Sequence, residues 1–132
     1  MEIKANEATP NRPAGDRILD APYVYANLPS FIKQVKKEPS WEKNDRNAIT
    51  VFKSAQMTIV VSALKEEASL KECKVDGYVT IQVLEGAIKL ITQDGDGDMG
   101  ENHLMVFHPG ILHSIEARLD TVLLITTYAL KH

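Results

Sequence analysis

The chain has 132 residues, of which 44% are hydrophobic and 25% charged, and its net charge at pH 7 is −3. This length fits one domain, and the acidic balance excludes the basic face that a nucleic-acid-binding protein needs. The single cysteine, Cys73, excludes an intrachain disulfide. No apolar run approaches the roughly 20 residues that cross a bilayer, and the N-terminus lacks the order of a signal peptide. We therefore expect a cytoplasmic protein with no nucleic-acid or membrane partner.

The first third of the chain predicts two segments outside the main domain. Residues 1–20 are polar and contain two prolines and a glycine, which predicts a flexible or loosely docked N-terminal segment. Residues 21–45 predict an arm that carries one short helix, because apolar residues recur at helical spacing between Pro29 and Pro39. We expect this arm, with its aromatic residues Tyr23, Tyr25, Phe31 and Trp41, to pack on the domain or on a dimer partner.

From residue 46 to residue 130 the pattern becomes that of short strands. Seven segments rich in β-branched residues are separated by turn signals: 48–54, 56–64, 78–84, 87–93, 103–107, 113–117 and 121–130. Short strands at this regular spacing are typical of an all-β sandwich or barrel. In the third segment, Val79, Ile81 and Val83 share one face, since successive strand side chains point to opposite faces.

The segment QDGDGDMG at 93–100 raises the possibility of a calcium loop. An EF-hand loop requires glycine at its sixth position and a bidentate glutamate at its twelfth. Counted from Asp94, those positions hold Met99 and Met105, so we interpret the segment as an exposed hairpin tip.

Two histidines lie around one Pro-Gly turn in VFHPGILHSIEA. Strand alternation predicts that His113 points inward together with Ile115 and Ala117, whereas His108 lies at the turn or rim. An inward histidine at a turn is a candidate metal ligand or a pocket residue with a side-chain or water partner.

The LEG turn at Gly86, followed by the PG-xx-H turn at 109–113, resembles the cupin family over residues 46–130. The resemblance implies a double-stranded β-helix, a jelly-roll barrel that in many members holds one divalent metal. Their first motif is G-x5-H-x-H-x3-E-x6-G. With its last glycine on Gly86, the glutamate falls on Val79 and the histidines on Val75 and Cys73. Of the second motif, Gly110 and His113 match.

This alignment implies a degenerate metal site. Valine offers no lone pair, so His113 and Cys73 are the candidate ligands for one divalent ion such as Zn, Ni, Fe or Cu. No catalytic residue is assigned, although Cys73 and His113 would form a thiolate–imidazole pair if they met. The implied barrel pocket comprises Cys73, Val75, Val79, Ile81, Gln82, His113 and Ile115.

Three functions are compatible with these residues. The first is a protein that binds an unknown small molecule in the barrel pocket. The second is a metal-dependent cupin enzyme of the dioxygenase, isomerase or decarboxylase type with an irregular ligand set. The third is a non-catalytic homodimeric interaction module, since open edge strands are prone to pair.

Overall fold

The computed structural model describes residues 1–130. Within this range the elements run in the order β1 (Lys4–Asn6), β2 (Arg17–Asp20), α1 (Leu28–Lys37), α2 (Pro39–Lys43), β3 (Arg46–Lys53), β4 (Met57–Leu64), β5 (Ser69–Cys73), β6 (Gly77–Glu85), β7 (Ala87–Thr92), β8 (Gly95–Gly100), β9 (Leu104–Phe107), β10 (His113–Ala117) and β11 (Thr121–Ala129).

Two antiparallel sheets form the main domain. One has five strands in the order β3-β4-β11-β6-β9, and the other has four in the order β5-β10-β7-β8. Neighbouring strands are often far apart in sequence, as where β11 lies between β4 and β6. This arrangement confirms the predicted all-β jelly-roll barrel.

The barrel interior is an aliphatic core that follows from strand alternation. Val79, Ile81 and Val83 of β6 are all buried, as their shared face predicts. They belong to one cluster with residues of the opposite sheet, including Ile88 and Ile115. Burial of each such side chain contributes roughly 1.5–3 kcal/mol, so this cluster is a main source of the stability of the barrel.

A second apolar cluster lies on the outer face of the five-stranded sheet. Helix α1 buries Val35 completely against residues that include Ile49, Val61 and Val122. The helix begins at a true cap, because the Asn27 side chain accepts a hydrogen bond from the Ser30 amide.

The prediction of a single helix needs correction, because α2 follows α1 directly. Pro39 ends α1, as expected, but it also stands in the first turn of the next helix. Proline is favoured there because the missing N–H would have no helical partner in any case.

Residues 1–20 contain the two-stranded sheet β1-β2. Two arginines of this segment reach the edge of the large sheet. Arg12 Nη2 donates to the Ala48 carbonyl at 2.6 Å, and Arg17 Nε donates to the Thr50 carbonyl at 2.6 Å. The N-terminal segment therefore covers backbone acceptors of the edge strand β3.

Two strands differ from the sequence prediction. Residues 95–100 are strand β8 and not a hairpin tip, because the turn is confined to residues 93–94 and β8 pairs with β7 along its length. Its aspartates are paired, Asp96 with Lys89 at 3.3 Å and Asp98 with Arg118 at 2.8 Å. Strand β5 was not predicted at all, since SLKEC lacks the β-branched residues that mark strands.

The glycine of the LEG turn has a steric role. Gly86 adopts φ +90°, which disfavours any residue with a side chain. A Cβ atom there would lie 2.5 Å from the Asp120 carbonyl oxygen. The absence of a side chain at Gly86 therefore allows the turn between β6 and β7 to pack closely against the start of β11.

Candidate functional site

His113, the first residue of β10, is buried inside the barrel with only 4% of its surface exposed. Its Nδ1 lies 3.1 Å from the Ile111 carbonyl oxygen. A carbonyl only accepts hydrogen bonds, so Nδ1 carries the proton of the neutral ring, and Nε2 keeps the lone pair. The backbone thus sets the tautomer and leaves Nε2 as the ligand or acceptor atom. The prediction that His113 points inward is confirmed.

The ring of Phe107 stacks on the imidazole ring of His113. The two ring centroids are 4.4 Å apart, and the ring planes differ by only 7°. Phe107 lies at the end of β9, opposite Val79 of β6. Sequence reasoning did not select Phe107, although its alternation with Met105 and its place before the Pro-Gly turn would have placed it on the inner face.

Cys73 lies at the end of β5, and its Cα pairs directly with that of His113. The side chain is half-buried, and Sγ is 4.0 Å from the Lys71 carbonyl oxygen. Burial raises the pKa of the Cys73 thiol, so the thiolate that a nucleophile or metal ligand needs is disfavoured.

A bulge in β5 brings Cys73 opposite His113. Lys71 and Glu72 together face Ser114, and Glu72 adopts a positive φ of 53°. The bulge leaves the Glu72 N–H without a backbone partner in the pairing of β5 with β10. This N–H donates instead to the Ser114 hydroxyl at 2.9 Å.

The remaining predicted pocket residues divide by face. Val79, Ile81 and Ile115 lie in the barrel core, and Val75 packs against it. Gln82 does not belong with them. It alternates with Ile81 and pairs with Leu104 on the outer face, so its prediction as a pocket residue is corrected.

His108 lies apart from His113, on the exposed side of the turn. Its ring is tilted against Tyr78, with centroids 5.1 Å apart. The turn joins β9 of the large sheet to β10 of the small sheet. It therefore connects the two sheets and does not form a two-histidine clamp.

The donor set does not fit a tightly held divalent ion. Such an ion usually takes three or more protein ligands, whereas the aligned motif positions supply only Cys73 and His113. Among residues 1–130, no group of three histidine, cysteine, aspartate or glutamate side chains is arranged to hold a metal ion.

Among the surface cavities formed by residues 1–130, five have volumes of about 190 to 620 Å³, and these five are lined by neither His113 nor Cys73. Within the barrel, the His113 ring stacks on Phe107, which belongs to the aliphatic core cluster. The imidazole edge and the exposed side chains of Ile111 and Leu112 beside it therefore define the candidate site at the barrel end.

Solved structures resemble this arrangement of sheets. A cupin superfamily protein from Desulfitobacterium hafniense has a TM-score of 0.63 at 16% identity, over 65% of this chain and 79% of that one. An RmlC-like cupin from Desulfovibrio desulfuricans has a TM-score of 0.58 at 22% identity, over 63% and 81% of the two chains. The chain has the cupin fold.

A further cupin-fold relative is a cupin 2 conserved barrel domain protein from Leptotrichia buccalis. It has a TM-score of 0.61 at 12% identity, over 64% of this chain and 41% of that one. No protein-family model and no curated protein matches the sequence. No helix within residues 1–130 is long and apolar enough to span a membrane.

Proposed function

We propose that this cupin-fold protein binds a small molecule at the His113 end of the barrel, and that binding does not require a tightly held metal. The observation that carries this proposal is the orientation of His113. Its Nδ1–H is engaged by the Ile111 carbonyl, so Nε2 is available to accept a hydrogen bond from a hydroxyl or N–H of the ligand.

The surroundings of His113 support a ligand that is mostly apolar. Phe107 presents a flat ring beside the imidazole, and Ile111 and Leu112 at the rim are 45% and 51% exposed. Small-molecule sites are generally apolar with a few placed polar groups. Cys73 fits the same description, because its raised pKa favours the uncharged thiol.

A nuclear magnetic resonance titration tests the proposal. Adding small alcohols, amides and sugars to ¹⁵N-labelled protein should shift the backbone signals of residues 107 and 111–113 for at least one compound class. His113→Phe should abolish that shift, because its ring fills the same space but has no nitrogen that could accept the hydrogen bond. His103→Phe on the exposed β8–β9 turn is the matched control and should leave the shift intact. Equal binding by the His113 variant would contradict the proposal.

The alternative is a metal-dependent cupin enzyme that uses His113 and Cys73 with a further donor. Elemental analysis of untagged protein, purified without chelator, separates the two functions. We expect well below one zinc, nickel, iron or copper per chain. Near-stoichiometric metal that disappears in both His113→Gln and Cys73→Ser would favour the enzyme.

A second candidate function is a homodimer, and strand β9 is the observation that favours it. Its single strand neighbour within residues 1–130 is β6. Leu104, Met105 and Val106 are 58%, 37% and 53% exposed, and no charged residue interrupts them. An open, uncharged, apolar edge is a template for another strand.

The opposite edge of the same sheet, strand β3, is protected against pairing with another strand. Strand β3 has carbonyl acceptors covered by Arg12 and Arg17, and charged residues at its two ends, Arg46 and Lys53. We propose that β9 of one chain pairs antiparallel with β9 of a second copy. Antiparallel pairing of a strand with itself satisfies two-fold symmetry, the commonest symmetry of homodimers.

A further inference from the structure

A groove lies outside the barrel, between the N-terminal segment and the exposed flank of α1. Its volume is about 620 Å³, within the range of ligand pockets, about 300–1,000 Å³. The groove shares no residue with the His113 site. It is lined by Pro13, Ala14, Ser30, Lys33, Gln34, Lys37, Glu38 and Pro39.

The lysines of the groove are free to meet an anion. Lys33 and Lys37 are one helical turn apart, so they lie on the same flank of α1. Neither takes part in the ion pairs found within residues 1–130, whereas their neighbour Lys36 is held by Glu85 at 2.6 Å.

The one carboxylate in the groove is already neutralised. Glu38 is buried and accepts from Arg12 Nε at 2.9 and 3.1 Å, from Gln34 Nε2 at 3.2 Å and from Asn47 Nδ2 at 3.0 Å. Arg17 adds a second guanidinium near Arg12. The region is therefore locally cationic in a chain whose net charge is −3.

The groove exists because the N-terminal segment is fixed in place. Arg12 ties that segment to Glu38 and to the Ala48 carbonyl, and this holds Pro13 and Ala14 opposite α1. Side chains on a rigid helix facing a fixed apolar wall form a preorganised site, which loses less entropy on binding.

We propose that this groove binds a small molecule that carries a phosphate monoester and a compact apolar body. A phosphate monoester holds about −1.5 to −2 charges at neutral pH, which the two unpaired ammonium groups of Lys33 and Lys37 match. The hydroxyl of Ser30 is one turn away on the same flank and can donate to a phosphate oxygen. Pro13, Ala14 and Pro39 supply the apolar wall for the rest of the ligand.

Titration of ¹⁵N-labelled protein with phenyl phosphate tests the site, with affinity measured by calorimetry. Shifts of backbone amide signals should be confined to Ala14 and to residues 30–38. The double variant Lys33→Ala/Lys37→Ala should weaken binding about tenfold or more, since each lost contact is a charge-assisted hydrogen bond. Lys53→Ala/Lys71→Ala removes the same charge from exposed positions elsewhere and should leave the affinity unchanged.

Further titrations distinguish specific binding in the groove from nonspecific electrostatic attraction of phosphate to the protein surface. Arg12→Ala should weaken the binding of phenyl phosphate as well, although both lysines remain, because it releases the segment that holds Pro13 and Ala14 and leaves the Glu38 carboxylate without its cation. Benzyl alcohol should not bind, and inorganic phosphate should bind more weakly than phenyl phosphate. Equal losses in the two double-lysine variants, or shifts scattered over the surface, would overturn the proposal. His113→Gln should not affect this titration, so the outcome is independent of the barrel site.

Discussion

The imidazole of His113 is fixed from both ends of a single loop. Phe107 stands immediately before the loop and His113 immediately after it, and their rings stack because the loop crosses from one sheet to the other. Gly110, at φ +78°, makes the crossing possible, and its amide donates to the Val75 carbonyl at 2.9 Å.

This geometry predicts the tautomer of His113. In ¹⁵N-edited imidazole spectra recorded at alkaline pH, where histidine rings are neutral, the proton of His113 should reside on Nδ1. Exposed His108 serves as the comparison within the same sample, since free imidazoles favour a proton on Nε2. A spectrum in which His113 carries its proton on Nε2 would show that the Ile111 carbonyl does not hold the ring.

Cys73 yields a second prediction at the residue scale. Because burial raises the pKa of its thiol, alkylation by iodoacetamide should show a pH midpoint above that of the same cysteine in denaturant. The unfolded chain ionises first as pH rises, so the folded state loses stability between the unfolded and the folded pKa. Cys73→Ser should remove that component of the alkaline loss. A midpoint at or below the denatured value would contradict the burial.

Among the secondary-structure elements, the ion pair of Arg12 and Glu38 joins the N-terminal segment to the helices, with the Glu38 side chain buried and the Arg12 side chain 23% exposed. Arg12→Met leaves the buried Glu38 carboxylate without its cation, so we expect it to lower the free energy of unfolding by about 3 kcal/mol. Glu38→Met should cost less, because the remaining guanidinium is partly hydrated and still donates to the Ala48 carbonyl. The double variant should lose much less than the sum. Urea denaturation of the four proteins measures this, and additive losses would show that the pair is not coupled.

The elements also show what sequence patterns can and cannot predict. The alternation of apolar and polar residues in β6 predicted its buried face correctly, because Val79, Ile81 and Val83 all pack toward the opposite sheet. Strand β5 escaped prediction, since its exposed Lys71 and Glu72 and its bulge obey no period-2 pattern. The glycines and aspartates of β8 predicted a turn, because these residues have a weak strand propensity. They form a strand in the structure because all of β8 pairs with β7.

Only those features of the candidate site that depend on local sequence patterns could be predicted. The inward direction of His113 followed from alternation and from the resemblance to cupins. Its stacking on Phe107 and its pairing with Cys73 depend on strands of different sheets and on a bulge. Such contacts arise from tertiary structure, so local patterns in the sequence do not reveal them.

At the scale of the whole molecule, the two edges of the large sheet are treated differently. Arginines shield β3, whereas β9 remains open and apolar. A stable dimer buries about 800 Å² on each partner, more than four strand residues provide. The interface we propose therefore extends from β9 onto the adjoining outer face, where Tyr78 and Tyr128 are 38% and 44% exposed.

This interface predicts that Val106→Lys converts a dimer into a monomer. Because β9 is only four residues long, antiparallel pairing with a second copy would bring the two introduced ammonium groups close together. At such a short distance two like charges repel each other, and they also lose part of their hydration. Leu119→Lys is the matched control, because Leu119 is equally exposed at 51% but lies in the β10–β11 turn. Sedimentation equilibrium should give a dimer mass for the parent and the control and a monomer mass for Val106→Lys. A monomeric parent, or a Val106→Lys protein that stays dimeric, would exclude pairing through β9.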